Sequence, residues 1–294
     1  MRTLVSVVGF LLMACAPPLL EGVKRGNLTA AANDARRQTE LMETAKRECA
    51  AARHKPTADE EAAVGQQVLE LWLQPRKGEV KPRATQADAR VTKVGLSVAP
   101  PVPAPGVTWV FLVTDSADVD SFSAPRGSVL VTRGLVDIAT DAQLAGALAH
   151  EMAHLTLGHQ LEVRARVEEL DCQMKRMGQL MQAEAAARGE KNSSADMIVA
   201  AAANGNLAST AAKMLFGNDA MGGLYEQDAD RKAVLWLHAA GIDASEFAEL
   251  LPKFTAPSPM VKVSSRVEGI EAAKAALPPL PPPKPAVPVK KPKR

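Results

Sequence analysis

The stretch Thr140-Asp141-Ala142-Gln143-Leu144-Ala145-Gly146-Ala147-Leu148-Ala149-His150-Glu151-Met152-Ala153-His154 decides the reading of this chain. Thr140 with Gln143 three residues on makes a capping box, so a helix starts there. Leu144, Leu148, Met152 and Leu155 share one face, which packs on a core while the other side looks into a cleft. Roughly opposite stand His150 and His154, at i and i+4, where both imidazoles reach one metal ion. Glu151 lies one step round the helix, a placement that suits a base acting on metal-bound water. The competing reading is an accidental HExxH, which the helical context weakens.

Two histidines leave a zinc site short of protein ligands. Downstream, Glu226-Gln227-Asp228-Ala229-Asp230 sets Glu226 and Asp230 at i and i+4 on a later helix, Leu224 to Ala240, closed by Gly241. Glu226 as third ligand gives His₂Glu with one open position, the pattern of a catalytic zinc. Asp230 then accepts from the outer nitrogen of a ligand histidine. A solvated acidic face beside Arg231 and Lys232 is the alternative.

The rest of the chain frames this centre. Ala supplies 52 of the 294 residues and aromatics only 3%, which fits a helix-rich protein better than an aromatic-rich β-sandwich. Residues 27–54, Thr57 to Leu73 (with a Thr57/Glu60 capping box), Ala87 to Val98 and Val163 to Met181 read as helices. Val107 to Val113 and Val129 to Thr132 read as strands, and Val119 to Gly127 as irregular. The expected fold is α+β: a mostly helical zincin-type domain with a small sheet beside the HExxH helix. The net charge is +2, and Lys284, Lys290, Lys291, Lys293 and Arg294 put +5 in the last eleven residues. The body is therefore slightly acidic, which excludes a basic nucleic-acid-binding surface.

The ends read as address and tail. Met1-Arg2, the apolar run Leu4 to Ala14 and then Cys15 make a secretory signal too short to span a bilayer. Leu12-Met13-Ala14-Cys15 resembles the bacterial lipobox, whose Cys is acylated, and Ala16 resembles outer-membrane sorting. An ordinary cleaved signal is the alternative. The boundaries follow: 1–14 signal peptide, 15–56 anchor and helical segment, 57–276 peptidase domain, 277–294 Pro/Lys-rich tail. The tail is read as solvated, or as touching anionic polymers or a proline-reading partner. Cys49 and Cys172 are an even pair that an oxidising compartment either bridges or leaves free.

HExxH followed by ExxxD looks like the gluzincin metallopeptidases. Val119 to Gly127 (VDSFSAPRG), Val129 to Leu135 (VLVTRGL), HEMAHLTLGH and EQDAD narrow the resemblance to the family of CAAX prenyl protease type 1 and HtpX. A lipobox without a membrane span resembles the periplasmic BepA- and LoiP-like branch. The resemblance covers roughly residues 57–275. It implies a zinc metalloendopeptidase of the bacterial envelope, one Zn²⁺ per chain, acting on extended or unfolded polypeptides, lipid-anchored, with outer-membrane assembly machinery as a partner. A zinc-bearing chaperone or assembly factor with little proteolysis is the alternative.

It also implies Arg266 as an oxyanion-stabilising residue and Ser128 to Thr132 as an edge strand pairing with substrate, an interior strand being the other reading. His159 fits the family's third histidine but, five residues from His154, reads as an outer partner of the ligands or as structural. Departures are Asp120 for Asn, Arg126 for Gly, and Met260 where a His precedes the Arg.

Overall fold

The computed structural model describes residues 28–52, 56–72, 84–86, 89–100, 108–203, 220–255 and 262–281. The signal peptide, Cys15, Met260 and the tail beyond residue 281 lie outside them. The described residues form two compact units, one drawn from Met1–Lys55 and Val163–Ala220, the other from Pro56–Glu162 and Met221–Arg294. Residues 163–220 group with the N-terminal segment in the first unit.

The first unit contains α1 (Leu28–Cys49), most of a long helix that begins at His159, and α7 (Ser193–Ala203). Ala45, Met177, Met181 and Ala195 are buried together there. Cys49 and Cys172 are joined by a disulfide, with Cα atoms 5.8 Å apart across a sequence separation of 123. Arg176 pairs with Glu48 beside it. By chain entropy, closing so long a loop contributes up to about 5 kcal/mol, and loss of a native bridge costs about 2–5 kcal/mol. Urea denaturation of a Cys49→Ala/Cys172→Ala variant should show that loss; unchanged stability would mean the bridge restrains nothing.

The second unit carries the site. Its elements are α2 (Ala58–Trp72), β1 (Ala84–Gln86), α3 (Ala89–Val98), β2 (Val110–Thr114), β3 (Ser121–Ala124), β4 (Ser128–Thr132), α4 (Arg133–Ile138) and α5 (Asp141–Leu157). The long helix α6 (His159–Ala187) starts in this unit, and α8 (Ala220–Ala239), α9 (Ser245–Leu250) and α10 (Val263–Ala275) complete it. The sheet order is β1-β2-β4-β3, with β2 and β4 parallel and the other pairs antiparallel. Ser128–Thr132 is therefore an interior strand, and the edge beside it is β3, inside the segment expected to be irregular. Pairing of Phe122 with Leu130 and Ser123 with Val129 makes that strand, overriding the weak local propensity of Ser-Phe-Ser-Ala.

Both capping boxes form: Thr57 with Glu60, and Thr140 with Gln143. Helix α5 is buried all round from Gln143 to Ala153 rather than on one face, as befits the central helix of a domain. Its close neighbour is α9. A Cβ on Gly146 would stand 2.3 Å from Cβ of Phe247, so only glycine admits that approach. Arg90 fixes the start of α5, donating to the carbonyls of Val136 and Ala139 and to Asp141. Among the described residues no helix is long and apolar enough to cross a membrane.

Candidate metal centre

Helix α5 supplies His150, Glu151 and His154, α8 supplies Glu226 and Asp230, and α10 supplies Arg266. One ligand atom from each of His150, His154 and Glu226 falls within 4.8 Å of the others. The two Nε2 atoms are 3.0 Å apart, and the Glu226 oxygens lie 3.4 and 3.5 Å from them. Two imidazole nitrogens and one carboxylate converging on a point are the donor set of a three-ligand zinc with a position left open. The residues fit the metal that the sequence implies.

Behind the ligands lies a buried ionic chain. Oδ1 of Asp230 is 2.9 Å from Nδ1 of His150, on the ring nitrogen facing away from the triad. Arg266 donates through Nε and Nη2 to Asp230, at 2.8 and 2.7 Å, and its Nη1 lies 2.9 Å from Glu226. The guanidinium expected as an oxyanion group thus also pairs with two carboxylates. Burial alone would raise the Glu226 carboxyl, but its bond to His150 and the charges of His150 and Arg266 hold it well below the usual range. Burial and Arg266 push the His150 imidazolium down, yet the bonds to Asp230 and Glu226 prevail and its pKa reaches about 9. Among the described residues His154 has no such anion close behind it, and burial with the neighbouring His150 drives it down to about 3.

His154 is backed differently. Gly158 ends α5 with φ 71°, a left-handed value that glycine adopts at no steric cost. The chain turns there, and His159 opens α6 with its Nδ1 2.9 Å from Nδ1 of His154. Its ring stacks on Tyr225, centroids 4.6 Å apart. Counting helical steps from His154 could not find this contact because the helix breaks between them; the glycine before His159 was the available signal.

Glu151 is buried, 8% exposed, and burial raises its carboxyl while His150, Ser121 and Ser123 pull it back. Ser121 Oγ donates to Glu151 Oε1 at 2.9 Å. The sequence reading missed Ser121, for which the signal was Ser-Phe-Ser, two hydroxyls on one side of a strand.

A helix with two ligand histidines and an intervening buried glutamate, closed by a glutamate from a second helix, defines a metallopeptidase centre. The chain belongs to peptidase family M48, whose pattern matches residues 85–274 and whose members use zinc. It is similar to the mitochondrial metalloendopeptidase OMA1 of Bos taurus, 34% identical over 110 residues, which are 35% of this chain and 20% of that protein. The Homo sapiens OMA1 is 33% identical over the same share of both chains. Metalloprotease YcaL of Escherichia coli (strain K12) is 28% identical over 83 residues, 28% of this chain and 32% of YcaL. The matched stretch spans a third or less of each of these relatives.

Asp230→Ala should weaken zinc by about 10–100-fold without removing a ligand, the effect of losing an outer partner. Competitive chelator titration measures this. An unchanged affinity would leave Asp230 only as a counter-charge for Arg266.

Proposed function

We propose that the chain is a zinc metalloendopeptidase of the bacterial cell envelope that cuts misfolded or unassembled polypeptides. The observation that carries the reading is the convergence of His150, His154 and Glu226 within 4.8 Å, beside the buried Glu151. Zinc, when held by these three residues, supplies Lewis acidity toward a water and a peptide carbonyl. Glu151 takes the proton of the attacking water and delivers it to the leaving nitrogen. Asp230 and His159 orient the two imidazoles. Arg266 balances Glu226 and Asp230, and is the buried cation assigned to oxyanion stabilisation. Strand β3, at the edge of the sheet, is where an extended segment would add by main-chain pairing, a mode that reads little side-chain identity.

The envelope assignment, on the BepA- and LoiP-like branch, draws on the signal-like N-terminus ending at Cys15, the acylation site of a lipid anchor. The Cys49–Cys172 disulfide supports an oxidising compartment. Outer-membrane attachment and work alongside assembly machinery belong to the same proposal.

Purified protein incubated with a permanently unfolded polypeptide should cleave it, stop on chelation, and recover when zinc is restored. Binding without cleavage in every condition would replace the reading with that of a chaperone or assembly factor. Mass spectrometry of the native N-terminus should find an acylated Cys15; an unmodified start elsewhere removes the anchor and leaves the metal centre standing.

A further inference from the structure

We propose that Ser121 is a positioning residue for Glu151: its hydroxyl holds Oε1 of the carboxylate and leaves Oε2 to exchange the proton. The inference rests on the peptidase reading above and deepens it. Ser121 Oγ lies 2.9 Å from Glu151 Oε1, the geometry of a good charge-assisted hydrogen bond. A glutamate on a helix has three side-chain torsions to fix, and a carboxylate free to swing presents its basic oxygen only part of the time. Here one oxygen is tied to a strand, so the swing is removed.

The strand that ties it is itself pinned. Asp120 N donates to Thr132 Oγ1 at 3.0 Å, while Thr132 N and Oγ1 both donate to the carbonyl of Asp120, at 3.1 Å each. Thr132 is in turn the N-cap of α4, accepting from Leu135 N. Ser121 N donates to Asp120 Oδ1 at 2.9 Å. A continuous set of bonds thus runs from a helix cap through one backbone turn to the hydroxyl on Glu151. Two residues on, Ser123 lies on the same side of β3, and its Oγ accepts from Gln160 at 2.9 Å. That leaves the Ser123 proton for donation on the side of the strand that carries Ser121. Strand β3 is also the edge strand, so the element proposed to receive substrate is the element that aims the base. A misplaced strand would misaim Glu151.

The test compares Ser121→Ala, Ser121→Thr and Ser121→Ala/Ser123→Ala in steady-state cleavage of a fluorogenic peptide by the zinc-loaded protein. In Ser121→Ala, kcat should fall about tenfold to a hundredfold, with KM within about twofold of the original. Zinc content and melting temperature should stay as they were. Ser121→Thr keeps the hydroxyl on a strand-compatible side chain and should recover most of the rate. The double variant should fall further. An unchanged kcat in Ser121→Ala overturns the proposal, as does a fall that Ser121→Thr shares or one accompanied by zinc loss. Glu151→Gln run alongside separates the two levels. If the unsubstituted protein does not cleave, the peptidase reading fails; if Glu151→Gln still cleaves, its role as base fails; if Glu151→Gln is dead while Ser121→Ala is unimpaired, only the positioning role fails.

Discussion

Glu151→Gln should retain zinc and lose cleavage. The exchange removes the proton-accepting oxygen but neither histidine nor Glu226, so the ligand set of His150, His154 and Glu226 is untouched. Glutamine still accepts from Ser121 through its amide oxygen, so the buried position keeps its partner. General-base assistance contributes about 10²–10⁴-fold in rate, and the residual activity should be lower by that factor. Metal analysis beside the assay decides the matter. Metal content falling as far as in His150→Ala would mean that Glu151 is a ligand rather than a base.

Arg266→Met should destabilise the protein strongly, and more so without metal. Arg266 is the cation shared by Glu226 and Asp230, whose side chains are 19% and 3% exposed. Removing Arg266 leaves two buried carboxylates facing the His150 imidazolium alone, and such an excess buried charge costs about 3–5 kcal/mol. For a protein of this size that is a melting temperature lower by about 10 °C. Zinc should restore part of the loss, because a dication meets the same carboxylates. A metal-free variant melting with the parent would show that the pairs contribute nothing net.

The centre was legible because its residues obey helical arithmetic. His150 with His154 and Glu226 with Asp230 are i, i+4 pairs, and both helices announce themselves by caps, Thr140–Gln143 at one start and Gly241 after one end. What was illegible depended on distant partners. Strand β3 exists through its ladder with β4, and nothing within Val119–Gly127 outweighs Pro125 and Gly127 as turn signals. Missing it turned β4 into an apparent edge. Arg266 was found by position relative to a family pattern, yet its engagement by two carboxylates follows from three-dimensional proximity of α8 and α10. The Cys49–Cys172 pairing likewise needs a distance that no spacing encodes. Arg126 adds a local surprise: it holds φ 71° in the β3–β4 turn, a value non-glycine residues adopt with strain.

The disulfide has a topological effect on the metal centre. It closes the covalent chain into a ring over a separation of 123 residues, and both ligand histidines lie inside that ring. Glu226 lies outside it, on the open arm. A single backbone cut anywhere between Cys49 and Cys172, self-inflicted or not, leaves one covalent molecule with His150, His154 and Glu226 still on it. A single cut between Cys172 and Glu226 divides the triad between two molecules. Only in that stretch does one cut part the third ligand from the other two.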